Sequence, residues 1–228
     1  MLENKCTVIV SSSNSERVQK AVESLKQSYP SASGRISGYA CNLGDQATIE
    51  DNIKQLFEKV GELDHVIFTA GDPLAATPID DVNMDKMVKA GMVRFFAPLF
   101  VGKYAPKYLK GGRESSITFT TGAVSERPIG NWSLIGSFAT GLHGMTRGLA
   151  LDLKPIRVNL VSPGAVVTEL WNHMTEQQRS QYFKSVEEKL PTGKVGQVTD
   201  VVESYLYALK DQNLTGSMIS TNGGHLLV

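Results

Sequence analysis

The sequence predicts an α/β chain built on a doubly wound parallel sheet. Short β-branched runs alternate with amphipathic helical stretches along the whole chain, the pattern of a parallel sheet covered by helices. At 228 residues the chain is long enough for one full core, so residues 1–228 are expected to form a single domain. No internal repeat or low-complexity segment interrupts the alternation.

Thr7–Val10 reads as a strand, and Ser15–Tyr29 as a helix with Val18, Ala21, Val22 and Leu25 on one face. Arg35–Cys41 is a second strand. Ala47–Val60 is a helix carrying Ile49, Ile53, Leu56 and Phe57, and Asp64–Thr69 is a buried strand. A helix over Asn83–Leu109 follows, in which Pro98 and Pro106 should kink the run or mark its end. Ser116–Thr121 is the next strand, and helix Asn131–Leu153 leads to strand Ile156–Val161. Two helical pieces across Thr168–Lys189 suit a lid. Helix Thr199–Lys210 and strand Ser217–Ser220 complete the pattern.

The chain carries 23 basic and 23 acidic residues. This balance argues against electrostatic binding to nucleic acid or a membrane surface. No apolar run reaches about 18 residues, and the N-terminus lacks the basic-then-apolar order of a signal peptide. The two cysteines, Cys6 and Cys41, fall at opposite ends of neighbouring strands. Reduced thiols in the cytoplasm fit that placement. By the same reading, the triplets beginning at Asn131 and Asn213 are chance matches to a glycosylation signal. No metal site is expected.

The stretch Ser116–Gly164, with LALDL, IRVN and SPG at fixed spacing, resembles the catalytic half of the short-chain dehydrogenase/reductase family. The resemblance runs from Thr7 to the last strand and implies a Rossmann-type fold. Aligned on those strings, the family's Ser falls on Gly122, its Tyr on Ile135, its Lys on Ala139 and its helix Asn on Gly91. None of these four carries a proton. Leu2–Lys5 looks like the tail of the family's first helix, and CTVIVSSSN like its second strand. Relative to the family, one strand–helix unit of about thirty residues is therefore expected to be absent. Either the sequence is a truncated or incomplete form, or a natural form dispenses with the unit. A reading of CTVIVSSSN as the nucleotide-binding strand is weaker, because Ser11–Ser15 offers no glycine for a phosphate to approach.

The resemblance also implies a cofactor, NADP(H). Ser12, Ser13, Asn14 and Arg17 stand where the family selects between nicotinamide cofactors. Small polar and basic residues there suit the phosphate of NADP, although Asn14 or Ser13 would cap the helix in any case. Asn42 and Leu43 match the adenine-contacting pair. Ala70 and Gly71 match the turn where backbone approaches the cofactor. Pro163, Gly164, Val166 and Thr168 match the segment facing the nicotinamide.

Ketone reduction needs a proton on oxygen as well as a hydride, and Ile135 and Ala139 remove the usual source. An iminium ion already carries positive charge at nitrogen, so hydride can add without a general acid. Arg94, one turn beyond Gly91, can hold a carbonyl or anion, or it can be a structural partner of Asp72 or Glu126. Trp132 can stack on a flat or cationic ring, or it can simply fill space. Thr120 and Thr121 are the remaining polar candidates, unless they satisfy local backbone groups. His143 reads as interface or core.

HVIFTAGDPLA, RFFAPL and LALDLKPIRVN are similar to fungal secondary-metabolism members of the family that lack the tetrad. Some of these reduce imines and shape a following cycloaddition. Their Asp three residues before the Trp is Ile129 here, so that part of their mechanism does not carry over. The expected function is NADP(H)-dependent hydride transfer to an imine or iminium of a natural-product intermediate, in a homodimer or homotetramer assembled through helices Asn83–Leu109 and Asn131–Leu153. The alternative is a non-catalytic pseudo-reductase that binds a small molecule or a partner.

Overall fold

The computed structural model describes residues 1–74 and 76–228; Ala75, the last residue of HVIFTAGDPLA, lies outside them. Six strands are all parallel: β1 (Val8–Ser12), β2 (Ile36–Ala40), β3 (His65–Ile67), β4 (Ser116–Thr120), β5 (Arg157–Pro163) and β6 (Met218–Thr221). The helices between them are α1 (Ser15–Ser28), α2 (Ile49–Val60), α3 (Met84–Gly91), α4 (Ala97–Tyr104), α5 (Ser133–Asp152), α6 (Glu176–Glu187) and α7 (Val198–Lys210). The predicted elements are all present, with ends displaced by one or two residues at most except in the Asn83–Leu109 region.

That helix is not a single run. α3 ends at Gly91, a π-helical turn spans Met92–Phe96, and α4 begins at Ala97. Pro98 has no N–H to return to the preceding turn, and a wide turn absorbs the mismatch. Pro106 lies in a closing 3-10 turn, Ala105–Lys107.

The strands form two hydrogen-bonded sheets, β1-β2 and β3-β4-β5-β6. Among the described residues no strand is paired between β1 and β3, where a doubly wound order places one more. Both facing edges are incompletely covered: every residue of β1 is partly or fully exposed, and Ile67 of β3 is 36% exposed. By contrast, β4 and β5 are central. Ile117, Phe119, Val158, Leu160 and Val161 are fully buried, as expected for parallel strands covered on both faces. The main core joins these strands to α2, α4 and α5. A smaller cluster of Leu2, Ala32 and Ile36 packs under α1.

Arg157 is buried at the start of β5. It donates to the carbonyls of Arg113, Ala208, Leu214 and Leu209, so its guanidinium closes the C-terminal end of α7. Both cysteines are free thiols, and burial raises the Cys41 pKa. No helix among the described residues is long and apolar enough to cross a membrane.

Candidate active site

The carboxyl ends of β3, β4 and β5 open into one cavity of about 1170 Å³, the place where open parallel sheets bind ligands. Thr69, Gly71 and Asp72 come from the end of β3, Thr120–Val124 from β4, and Pro163–Val166 from β5. The first half of α5 forms one wall with Trp132, Ile135, Phe138, Ala139 and Leu142, and the segment Thr168–His173 with α6 forms a roof. Three strand ends thus set one side of the cavity, and the helix that follows β4 sets the wall beside them.

Gly122, Ile135 and Ala139, the positions the resemblance assigns to Ser, Tyr and Lys, all line this cavity. Space does not explain the glycine at 122: a Cβ there would meet nothing closer than the Pro163 carbonyl at 3.8 Å. Gly91 is different. A Cβ there would lie 2.8 Å from the Phe96 ring and 2.9 Å from the Phe138 ring. Phe95, Phe96 and Phe138 form a mutual cluster with ring centroids 5.2–6.0 Å apart, and it occupies the room an asparagine would need.

Arg94 sits in the π-helical turn and lines the cavity. Its Nε is 2.9 Å from Asp72 Oδ1, and its Nη2 donates to the Asp72 carbonyl. The carboxylate oxygen lies off the N–H direction and makes no hydrogen bond, although it is buried. The contact is thus an ion pair without a full hydrogen-bond fork. Burial lowers the Arg94 pKa and the Asp72 charge opposes that shift, so the guanidinium stays charged. Arg94 is both structural partner and cavity wall.

Gly71 has a role the sequence did not reveal. A Cβ there would come within 2.9–3.0 Å of the Arg94 guanidinium nitrogens. The missing side chain makes room for Arg94.

Two polar candidates are committed to the fold. The Thr120 hydroxyl donates to the Phe68 carbonyl at 2.8 Å and meets the Tyr205 hydroxyl at 2.7 Å. The Thr121 hydroxyl donates to the Ala139 carbonyl at 2.9 Å. Both threonines line the cavity, and both hydroxyls donate to backbone carbonyls, the local alternative weighed for them in the sequence. His143 lies outside this cavity, with Nε2 2.9 Å from Ser125 Oγ.

Of the cofactor candidates, Arg17, Gly71, Pro163, Gly164, Val166 and Thr168 line the cavity. Ser12, Ser13, Asn14, Asn42, Leu43 and Ala70 are not in its wall. Asn14 caps α1 by accepting from the N–H groups of Glu16 and Arg17. Asn42 accepts from Gly44 N–H, and its carbonyl accepts from Asn52. Gly164 fits tightly against Asn222, with a Cβ at 3.0 Å from its backbone, which fixes the strand end beside the cavity. Sequence reasoning missed Trp171, Tyr182 and Tyr205 as cavity residues. For Trp171 and Tyr182 the only signal was aromatic character in the segment expected to cover the site, and Tyr205, on α7, gave none.

Comparison with known proteins agrees with this geometry. A family model described as an SDR-like Rossmann domain matches residues 1–228. The chain is 42% identical over 228 residues to the short-chain dehydrogenase/reductase fsr5 of Gibberella fujikuroi, covering 97% of this chain and 85% of that protein. It is 34% identical over 232 residues to malC of Malbranchea aurantiaca, covering 100% and 88%. The solved structure of MalC, described as a reductase/Diels-Alderase, superposes with a TM-score of 0.90 over 96% of this chain and 86% of that one. A small-chain dehydrogenase solved with NADPH is 30% identical, with a TM-score of 0.78 over 85% of this chain and 87% of that one. With its parallel strand ends, its cavity and these relatives taken together, the chain belongs to the short-chain dehydrogenase/reductase family.

Proposed function

We propose that this protein is an NADP(H)-dependent oxidoreductase that delivers a hydride to the carbon of an imine or iminium group in a natural-product intermediate. The observation that carries the reading is the cavity wall itself. Where a ketone reductase needs an acid, Ile135 and Ala139 present only hydrocarbon and backbone. An iminium substrate fits such a wall, because its nitrogen carries the positive charge that a proton would otherwise bring.

NADPH, when bound, supplies the hydride. Arg17, exposed at the rim of the cavity, suits the 2′-phosphate. Gly164, Val166 and Thr168 suit the nicotinamide side. Asp72 cancels the charge of Arg94, so the pair offers a cationic substrate no net repulsion while its guanidinium can still hold a carbonyl. Trp132, partly buried at the start of α5, offers its ring face to the cation. Hydride addition turns C=N⁺ into a neutral amine without any proton from the protein, and an imine reacts in its N-protonated form, its proton taken from solvent before hydride transfer.

Assembly through the outer faces of α3, α4 and α5 supports an oligomer: Met84, Met87, Leu99 and Leu151 are exposed there. Sedimentation at several concentrations tests it.

The functional test is NADPH oxidation with a cyclic iminium and its ketone analogue as paired substrates. Turnover of the iminium alone supports the reading. Turnover of the ketone, or of neither by a form that binds NADPH, overturns it. The second outcome favours a binding protein without catalysis, for which the committed hydroxyls of Thr120 and Thr121 are the specific argument.

A further inference from the structure

The roof of the cavity is an aromatic assembly that the hydride step leaves unexplained. Trp171 ends a 3-10 turn, Glu169–Trp171. Its ring lies 4.8 Å from the Tyr182 ring, tilted by 39°, and 6.0 Å from the Phe183 ring, almost perpendicular at 86°. Trp171 and Tyr182 line the cavity and Phe183 does not, so Phe183 backs the other two. The Trp171 Nε1–H donates to the Val166 carbonyl at 2.8 Å. Val166 is itself bridged to Gly196 and borders the cavity from the end of β5.

The far end of the roof is anchored as well. Thr175 and Gln178 form a reciprocal capping box at the start of α6, which holds Tyr182 and Phe183 in place two turns later. The indole therefore has one orientation, fixed by a backbone carbonyl, a neighbouring ring and a ring behind. Trp132, Ile129 and Ile135 line the same cavity. Tyr182 lines the cavity, no hydrogen bond to protein engages its hydroxyl among the described residues, and burial raises its pKa.

We infer that Trp171 and Tyr182 are specificity-determining residues that select a flat, conjugated ring system, stacked beneath the roof with a polar substituent at the Tyr182 hydroxyl. Preoriented aromatic faces favour planar partners over puckered ones of equal size, and a fixed indole loses little freedom on binding. The inference rests on the reductase reading for the place of the reacting carbon, and it adds the shape class of the substrate.

The test compares 2-naphthol with 2-decalol, which share a skeleton and a hydroxyl but differ in planarity. Calorimetry on the full chain should show 2-naphthol bound at least tenfold more tightly. Trp171→Phe should keep most of that preference and Trp171→Leu should abolish it. Tyr182→Phe should weaken 2-naphthol severalfold and leave naphthalene unchanged.

The chain has two tryptophans, so the indole N–H signal of Trp171 can be assigned with Trp132→Phe. 2-Naphthol should move that signal and 2-decalol should not. This keeps the inference testable even if Trp171→Leu fails to fold. Equal affinities, no binding of either probe, or an unmoved Trp171 signal would overturn it. Neither measurement needs turnover. A planar preference without hydride transfer would strike the reductase reading alone, and hydride transfer without planar preference would strike this inference alone.

Discussion

Arg94 shows how one residue serves fold and site together. Its side chain is only 27% exposed and that of Asp72 33%, so the pair is more sheltered than the surface pairs worth at most about 1 kcal/mol. Arg94→Ala would leave a half-buried carboxylate unpaired. We expect it to cost about 1–3 kcal/mol and to lower hydride transfer a hundredfold or so, the usual scale for removing a positioned donor. Thermal melts and a product assay on one preparation check both. Arg94→Lys should recover stability better than activity, because an ammonium cannot reproduce the planar guanidinium.

Gly91 behaves in the opposite way. Gly91→Asn restores the family residue but drives a Cβ into the Phe96 and Phe138 rings, and overpacking should cost about 1–3 kcal/mol. A higher melting temperature in this variant would show that the aromatic cluster yields more easily than its contacts suggest. For the same reason Ile135→Tyr combined with Ala139→Lys should not create a ketone reductase. The orienting positions at 91 and 122 would remain empty, and an NADPH-coupled assay with simple ketones decides the point.

At the scale of elements, the π-helical turn between α3 and α4 is the part of the chain that places Arg94. Its extra residue per turn rotates the helix surface at the point where the side chain must reach the cavity, a common use of such turns. The helical-face argument from Gly91 turned Arg94 toward the cavity, which it lines, but an ideal helix does not describe the backbone that carries it.

Another junction binds β5 to α7. Arg157 donates to the carbonyls of Ala208, Leu209 and Leu214 there and to that of Arg113 ahead of β4, with burial pulling its pKa down and Asp211 and Glu114 opposing that. Arg157→Leu removes all four at once. We expect a loss of about 3 kcal/mol or more from the orphaned carbonyls, or about 6–12 °C in melting temperature. Differential scanning calorimetry measures this directly, and an unchanged melting temperature would mean that water replaces the guanidinium.

For the whole molecule, the separation of the β1-β2 sheet from the four-stranded sheet is the dominant fact. A pyrophosphate group is held by backbone N–H groups at a glycine-rich turn and helix N-terminus, and the described residues include no such turn beside the cavity. The 228-residue chain should therefore bind NADPH weakly. A form carrying a strand, a glycine-rich turn and a helix ahead of Met1 should bind at least about tenfold more tightly, the equivalent of one hydrogen bond to a charged group. Calorimetry on both forms tests this, and micromolar affinity in the 228-residue chain would refute it.

Stability should also follow pH. Burial holds His65, His143 and His225 below the ordinary histidine value. As pH falls below about 6.5, the unfolded chain takes up protons that the folded chain resists. Stability should hold above that pH and decline as pH falls from it through the lower folded values. Melting temperatures at neutral and mildly acidic pH follow the decline, and His65→Gln should make it shallower.

Local periodicity and turn chemistry determined the parallel α/β class and the order of the elements, because buried parallel strands and amphipathic helices each write their own spacing into the chain, and the resemblance carried by LALDL, IRVN and SPG pointed to the family. The occupants of the emptied positions were also legible, since residue identity alone says what can carry a proton. Only the tertiary structure decided how the polar groups are spent. The sequence left Thr120 and Thr121 open between the site and local backbone groups, and their hydroxyls are taken by carbonyls of Phe68 and Ala139. Gly71 read as a cofactor turn in the sequence, and only the packing shows that its missing side chain also makes room for Arg94. Trp171 and Tyr182 carried no motif, and became a roof only because the chain after β5 folds back over the strand ends. Spacing records contacts along one element, whereas these partnerships join residues far apart in sequence, and only packing brings them together.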